Sequence, residues 1–166
     1  MQNNLLKKLI WPVILLLFIL ASQLEPAKLS LKQNEVDLTS HESGEYAGHT
    51  LKKHVDKKED YLINRLKNEP NIKAASTFYD NKTAERAIKE VLDYHKEGIK
   101  YWLESANLAN VKKFELDIEE NVGFGIKRED FENNNMMFKH SSHVIVVLRK
   151  VSDINYKILT AYVLVD

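Results

Sequence analysis

Groups able to move protons and hold phosphate crowd one short stretch of the chain. His41-Glu42 is followed by His49, by Lys52-Lys53-His54, by Lys57-Lys58 and, eleven residues after His54, by Arg65. Histidine, with an ordinary pKa of about 6.5, exchanges protons at neutral pH. Arginine is a permanent planar cation whose several donors match the non-bridging oxygens of a phosphate. The lysines around His54 add a local positive field that draws phosphates in. Near the other end, Thr160 and Tyr162 stand two residues apart, the spacing that puts both side chains on one face of a strand. A second chemistry is open to the same stretch, because clustered histidines with a carboxylate bind zinc, and His41, Glu42, His49 and His54 form such a set. Their spacing is not that of a zincin helix, since His41-Glu42 lacks the second histidine four residues after the first.

For His54 and Arg65 to meet, the chain between them has to turn back. Eleven residues of unbroken helix would hold them about 16 Å apart at 1.5 Å per residue. Asp56-Lys-Lys-Glu59 reads as a capping box, which predicts a new helix beginning at Asp56. That helix runs to about Asn68, ahead of Pro70, with Tyr61, Leu62, Arg65 and Leu66 on one side. A short helix bearing His54, a turn at Val55 and Asp56, and a second helix folding back would bring the two side chains together.

The remaining elements follow from hydrophobic period. Ala75 to Ala84 reads as a short extended segment and a turn. Ala84, Ala87, Ile88, Val91, Leu92, His95, Ile99, Trp102 and Leu103 recur every three or four residues, which predicts one long core helix with His95 as a satisfied core histidine. Phe114, Leu116 and Ile118 alternate with acids as a half-buried strand, and Gly123 to Ile126 forms a second short one. Asp130 to Asn135 reads as polar loop, and His143 to Arg149 with Tyr156 to Val165 as a hairpin. In the last strand, strict alternation puts Tyr156, Ile158, Thr160, Tyr162 and Leu164 on one face. His140 and His143 read as surface or hairpin residues. Helices first and antiparallel strands after make the fold class α+β.

Bulk properties narrow the options. The 166 residues are 44% hydrophobic and carry 24 basic against 24 acidic side chains, so any polyanion site has to be local rather than global. There is no cysteine, which removes disulfides and thiolate metal sites and leaves packing alone to hold the fold. At the amino terminus, Lys7-Lys8 precede a mostly apolar run from Leu9 to Ala21 that is shorter than the roughly 20 residues needed to cross a bilayer. Residues 1–22 therefore read as a signal peptide or short membrane anchor, 23–35 as a linker, and 36–166 as the domain. The expected location is exported, secreted or periplasmic, with membrane contact only through residues 9–21.

Read together, the segments resemble a known family. Leu38 with His41-Glu42, Gly48-His49-Thr50 leading to Lys53-His54-Val55, and Leu62 with Arg65-Leu66 carry the first part of the likeness. Ala75-Ser-Thr-Phe78, Thr83-Ala84, Ala87-Ile88, Ile99, Trp102-Leu103, Val146-Val-Leu-Arg149 and Ile158-Leu-Thr-Ala-Tyr162 continue it. The chain is similar over roughly Val36 to Val163 to the bacterial ribonuclease A-like toxin domain at the carboxyl ends of contact-dependent growth inhibition proteins. It departs from that family in having Val163 where proline commonly follows the tyrosine.

The resemblance implies a ribonuclease A-like fold, amino-terminal helices packed on a twisted antiparallel sheet, without disulfides. It also implies RNA cleavage by His54, Arg65, Thr160 and Tyr162, with no metal and no cofactor. In that chemistry the 2′-hydroxyl loses a proton, the phosphorane is stabilised and the 5′-oxygen gains a proton. His54 is the expected general base and Arg65 the phosphate ligand, with Thr160 and Tyr162 donating to the same phosphate and His49 and Lys53 as auxiliaries. Pancreatic-type ribonucleases place a second histidine on the last strand, where this sequence has Thr160 and Tyr162, and tyrosine, with a pKa of about 10, is a slow acid. The expected partners are RNA, not DNA, and a cognate immunity protein. The alternatives to a toxin nuclease are an exported non-catalytic binding module of the same fold and the metal-dependent hydrolase.

Overall fold

A computed structural model describes residues 36–106 and 108–166. The expected export segment and linker lie outside the described residues. The elements are helices α1 (Leu38–His41), α2 (Thr50–His54) and α3 (Glu59–Asn68), strand β1 (Ala74–Phe78), helices α4 (Asn81–Tyr94) and α5 (Lys96–Glu104), and strands β2 (Val111–Asp117) and β3 (Gly123–Lys127). Helix α6 (Arg128–Glu132) and strands β4 (Lys139–Ser141), β5 (His143–Ser152) and β6 (Asn155–Val163) complete the order. The strands form two antiparallel three-stranded sheets, β1-β3-β4 and β2-β5-β6. Ser76 of β1 joins them by donating its hydroxyl to the Val163 carbonyl at 2.5 Å. The α+β class read from the sequence is the class observed.

Two apolar cores hold this arrangement. Ala84, Ala87, Ile88 and Val91 of α4, with Ile99, Trp102 and Leu103 of α5, pack on Phe114, Val144, Val146, Leu148, Ile158, Ala161 and Val163. Each large side chain fully buried there contributes about 1.5–3 kcal/mol relative to exposure. Leu62 and Leu66 of α3 pack separately on Ala75 and Ile126, rimmed by Phe124, Phe131 and Phe138.

Four local expectations are corrected. The predicted long helix is two, because His95 leaves helical geometry at φ −94° and ψ 11° and ends α4 while starting α5. Its ring reaches the Glu115 carbonyl at 2.9 Å, and a repeat of three or four survives a change of axis when both helices pack on one sheet. The capping box does not form, since Asp56 adopts φ 53° and α3 starts only after Lys58. Contacts with β1 decide this: the Asp56 N–H donates to the Phe78 carbonyl at 3.1 Å and the Lys57 N–H to Thr77 Oγ1 at 3.0 Å. The polar stretch from Asp130 is partly the short helix α6. There Arg128 donates to the carbonyls of Leu66, Glu69 and Ile72 at 2.7–3.0 Å and so secures the end of α3.

The fourth correction bears on the site. Val147 pairs with Thr160 but Leu148 pairs with Ile158, so Leu159 is an extra residue in β6. This bulge reverses the alternation beyond it. Ile158 thus joins Ala161 and Val163 in the core, while Thr160 and Tyr162 occupy the opposite face.

Candidate active site

The bulge also anchors the amino-terminal part of the site. The His49 N–H donates to the Leu159 carbonyl at 3.0 Å, and the Ala161 N–H donates to Thr50 Oγ1 at 2.9 Å. Two adjacent residues at the head of α2 are thereby tied to β6 on either side of Thr160. Gly48 makes the approach possible: a Cβ there would lie 2.8 Å from the Leu159 carbonyl oxygen and closer still to that of Ile158. Glu42 caps α2 by accepting from the Leu51 N–H. His41 accepts from the Ile158 N–H through Nδ1 at 3.2 Å. Both members of the His41-Glu42 pair therefore hold backbone. Among the described residues no three histidines or carboxylates converge as metal ligands, so the zinc set of His41, Glu42, His49 and His54 does not assemble.

His54 ends α2 and is 8% exposed, and Arg65, on the inner side of α3, is also 8% exposed. The turn at Val55 and Asp56 folds α3 back as expected. The His54 ring lies 5.6 Å from that of Tyr162 and 5.9 Å from that of His49. Burial, followed by the Arg65 guanidinium and then His49, holds the His54 pKa down to about 3, against the opposing pull of a main-chain hydrogen bond at Ser76. Arg65 is thus near enough to His54 to act on its charge. Burial lowers the His49 pKa as well, with Lys53 adding to the effect.

Three of the four residues, His54, Arg65 and Thr160, each bury a polar atom that lacks a hydrogen-bond partner: His54 Nδ1, Arg65 Nη1 and Thr160 Oγ1. Leaving such atoms unpaired costs about 1–3 kcal/mol each, and native structures avoid it unless a site requires it. The set offers a ring nitrogen, a guanidinium N–H and a hydroxyl, with a phenol alongside on the same strand face. It can hold a tetrahedral oxyanion and accept a proton next to it.

Glu69 is the site residue that the sequence reading missed. Its carboxylate accepts from Arg65 Nε and Nη2, both at 3.1 Å, and lies 3.6 Å from Lys53 Nζ. The hydrogen bonds from Arg65 keep the Glu69 carboxyl below its ordinary pKa. One edge of the guanidinium fork is thereby fixed while Nη1 stays unpaired. The signal was available, because Arg65 and Glu69 stand four apart, the spacing of an ion pair on one helix side. Glu69→Ala is expected to cut turnover about tenfold to a hundredfold through a misplaced guanidinium, with Glu69→Gln retaining more of it. Steady-state kinetics check this, and equal activity of all three proteins would remove Glu69 from the site.

Fold and site define a disulfide-free α+β domain with a buried histidine–arginine cluster suited to phosphodiester chemistry. Residues 48–162, more than half of the chain, match the family described as the bacterial CdiA-CT RNAse A domain. The chain belongs to that family, whose members are toxin domains of ribonuclease type. The fold is similar to that in the crystal structure of a CdiA-CT/CdiI complex from Y. kristensenii 33638, with a TM-score of 0.61 and 23% identity, covering 71% of this chain and 100% of that one. No curated protein matches the sequence.

Proposed function

We propose that the domain is a metal-independent endoribonuclease toxin that cleaves RNA by attack of the 2′-hydroxyl on the adjacent phosphodiester. The observation that carries this reading is that His54 Nδ1, Arg65 Nη1 and Thr160 Oγ1 are each buried without a hydrogen-bond partner, His54 lying against Tyr162, which shares a strand face with Thr160. His54 is neutral at physiological pH and so is in the state a general base needs. Burial depresses its pKa most and the Arg65 charge adds to the effect; a bound phosphate offsets the Arg65 and Lys53 charges, so substrate raises its proton affinity. Arg65 and Thr160 stabilise charge on the phosphorane. The second proton transfer, to the 5′-oxygen, falls to His49 or Tyr162, the two groups whose rings flank His54. Protonated, the His49 imidazolium is the stronger acid of the two, and the phosphate charge that raises the His54 pKa favours that protonated form of His49 as well.

The solved relative is a complex with CdiI, which supports an immunity protein as the partner of this domain, seated so that RNA is kept from His54 and Arg65. The charge and hydropathy of residues 1–22 support export. The test is cleavage of a fluorescent RNA by the purified domain, with 2′,3′-cyclic phosphate ends on the products and no change on adding a chelator. An inactive domain would defeat the enzyme reading, and activity lost to chelator but restored by zinc would defeat the metal-independent one.

A further inference from the structure

Arg149, at the end of the Val146-Val-Leu-Arg149 segment, has no part in the catalytic cluster described above. We propose that it forms, with Tyr46, a second phosphate site that takes the phosphodiester one nucleotide away from the scissile bond. This inference rests on the RNA reading and extends it along the same sheet face.

The placement comes from strand register. Val147 opposes Thr160, and Arg149 lies two residues further along β5 on the same face, about 7 Å from Val147. Reaching one phosphodiester to the next takes a step of that order. β2 brings Lys113 opposite Val147, and β6 brings Lys157 opposite Arg149, so cations line the face beside Thr160. Lys113 is paired with Glu115, and Lys157 donates to the Ser40 carbonyl. Arg149 differs from both. Among the described residues it makes no salt bridge, and its Nε is buried without a hydrogen-bond partner.

Tyr46 explains how the guanidinium is held in place without a carboxylate. Its ring lies under the Arg149 guanidinium, 5.6 Å from ring centroid to Cζ, and a cation over an aromatic face is held without consuming its in-plane donors. Tyr46 belongs to the segment between α1 and α2, whose far end carries His49 and docks on the bulge at Leu159. One segment therefore orders both the auxiliary histidine and the arginine platform. An unpaired, pre-oriented guanidinium beside a phosphate site is what recognition of a second phosphodiester requires.

The experiment measures binding of non-cleavable 2′-O-methyl RNA oligonucleotides, a dinucleotide and a hexanucleotide, by fluorescence anisotropy at several salt concentrations. The wild type is expected to bind the hexanucleotide at least tenfold more tightly. Arg149→Ala should lose that gain, leave dinucleotide affinity unchanged and lower the salt slope by about one. Arg149→Met, which keeps apolar packing on Tyr46, serves if the alanine variant does not fold and should behave in the same way. Unchanged hexanucleotide affinity in the variant, or an equal loss for both lengths, would overturn the second site. A wild type that binds neither oligonucleotide would overturn the RNA reading and this inference with it.

Discussion

Replacing His54 by alanine is expected to lower RNA cleavage by about 10²–10⁴-fold, the range that a general base contributes. His54 is buried between Arg65, His49 and Tyr162, and water entering the vacated space is a poorer and less oriented base. Arg65→Ala should cost about 10²–10³-fold, comparable with loss of a donor to a developing oxyanion. Arg65→Lys should recover little of this. Glu69 holds Nε and Nη2 together, and a lysine ammonium cannot satisfy that carboxylate and also present a fixed N–H where Nη1 stands. The His54 and Arg65 losses should combine to less than their product, because both act on the same transition state. Initial rates on a fluorogenic RNA, beside circular dichroism spectra and melting curves to show retained fold, make the test. Activity within tenfold of wild type for folded His54→Ala would end the assignment of His54 as base.

Much of this site was legible before any coordinates, and the reasons differ from residue to residue. The break between His54 and Arg65 followed from geometry, since one continuous helix would have kept them apart. Its place at Val55 and Asp56 was right although the capping device was not. Local sequence cannot weigh the Asp56 N–H bond to Phe78 against a capping box, because the competing partner lies more than twenty residues away. Thr160 and Tyr162 were expected to share a face, and they do. Ile158 was expected with them and instead faces the core, because a single extra residue is invisible to a period-two pattern.

The misreadings share a physical cause. His95, Asp56 and Leu159 depart from regular geometry where a backbone group finds a partner in another element: the Glu115 carbonyl takes the His95 ring, the Phe78 carbonyl takes the Asp56 N–H, and the Leu159 carbonyl takes the His49 N–H. Such long-range bonds override local propensity at single residues while leaving element types unchanged. At Leu159 the irregularity is also what seats the His49 segment on β6. His41 and Glu42 show the converse. Their residue types suggested metal ligation, whereas each satisfies an N–H, of Ile158 and Leu51 respectively. Clustered chemistry in a sequence does not reveal which of its members have already been used by the backbone.

The depressed His54 pKa carries a consequence for stability that is independent of catalysis. In the unfolded chain the imidazole takes a proton as pH falls through about 6.5, whereas in the folded protein it resists until about 3. Between those values the unfolded state binds more protons, so stability is full above pH 6.5 and declines as pH falls toward 3. The slope approaches roughly 1 kcal/mol per pH unit in the middle of the window. His41 and His49, whose pKa values are also lowered, contribute in the same direction, as does Glu69 at lower pH. A comparison with His54→Asn isolates the one residue. From pH 6.5 to 5, where most carboxylates are ionised in both states, wild-type urea stability should fall more steeply than that of the variant. Adding a nucleotide 3′-phosphate should reduce the difference in slope, because the phosphate offsets the Arg65 charge and raises the His54 pKa. Parallel stability curves for the two proteins, or an imidazole resonance of His54 titrating near 6.5 in the free domain, would show that the ring is not held neutral by its surroundings.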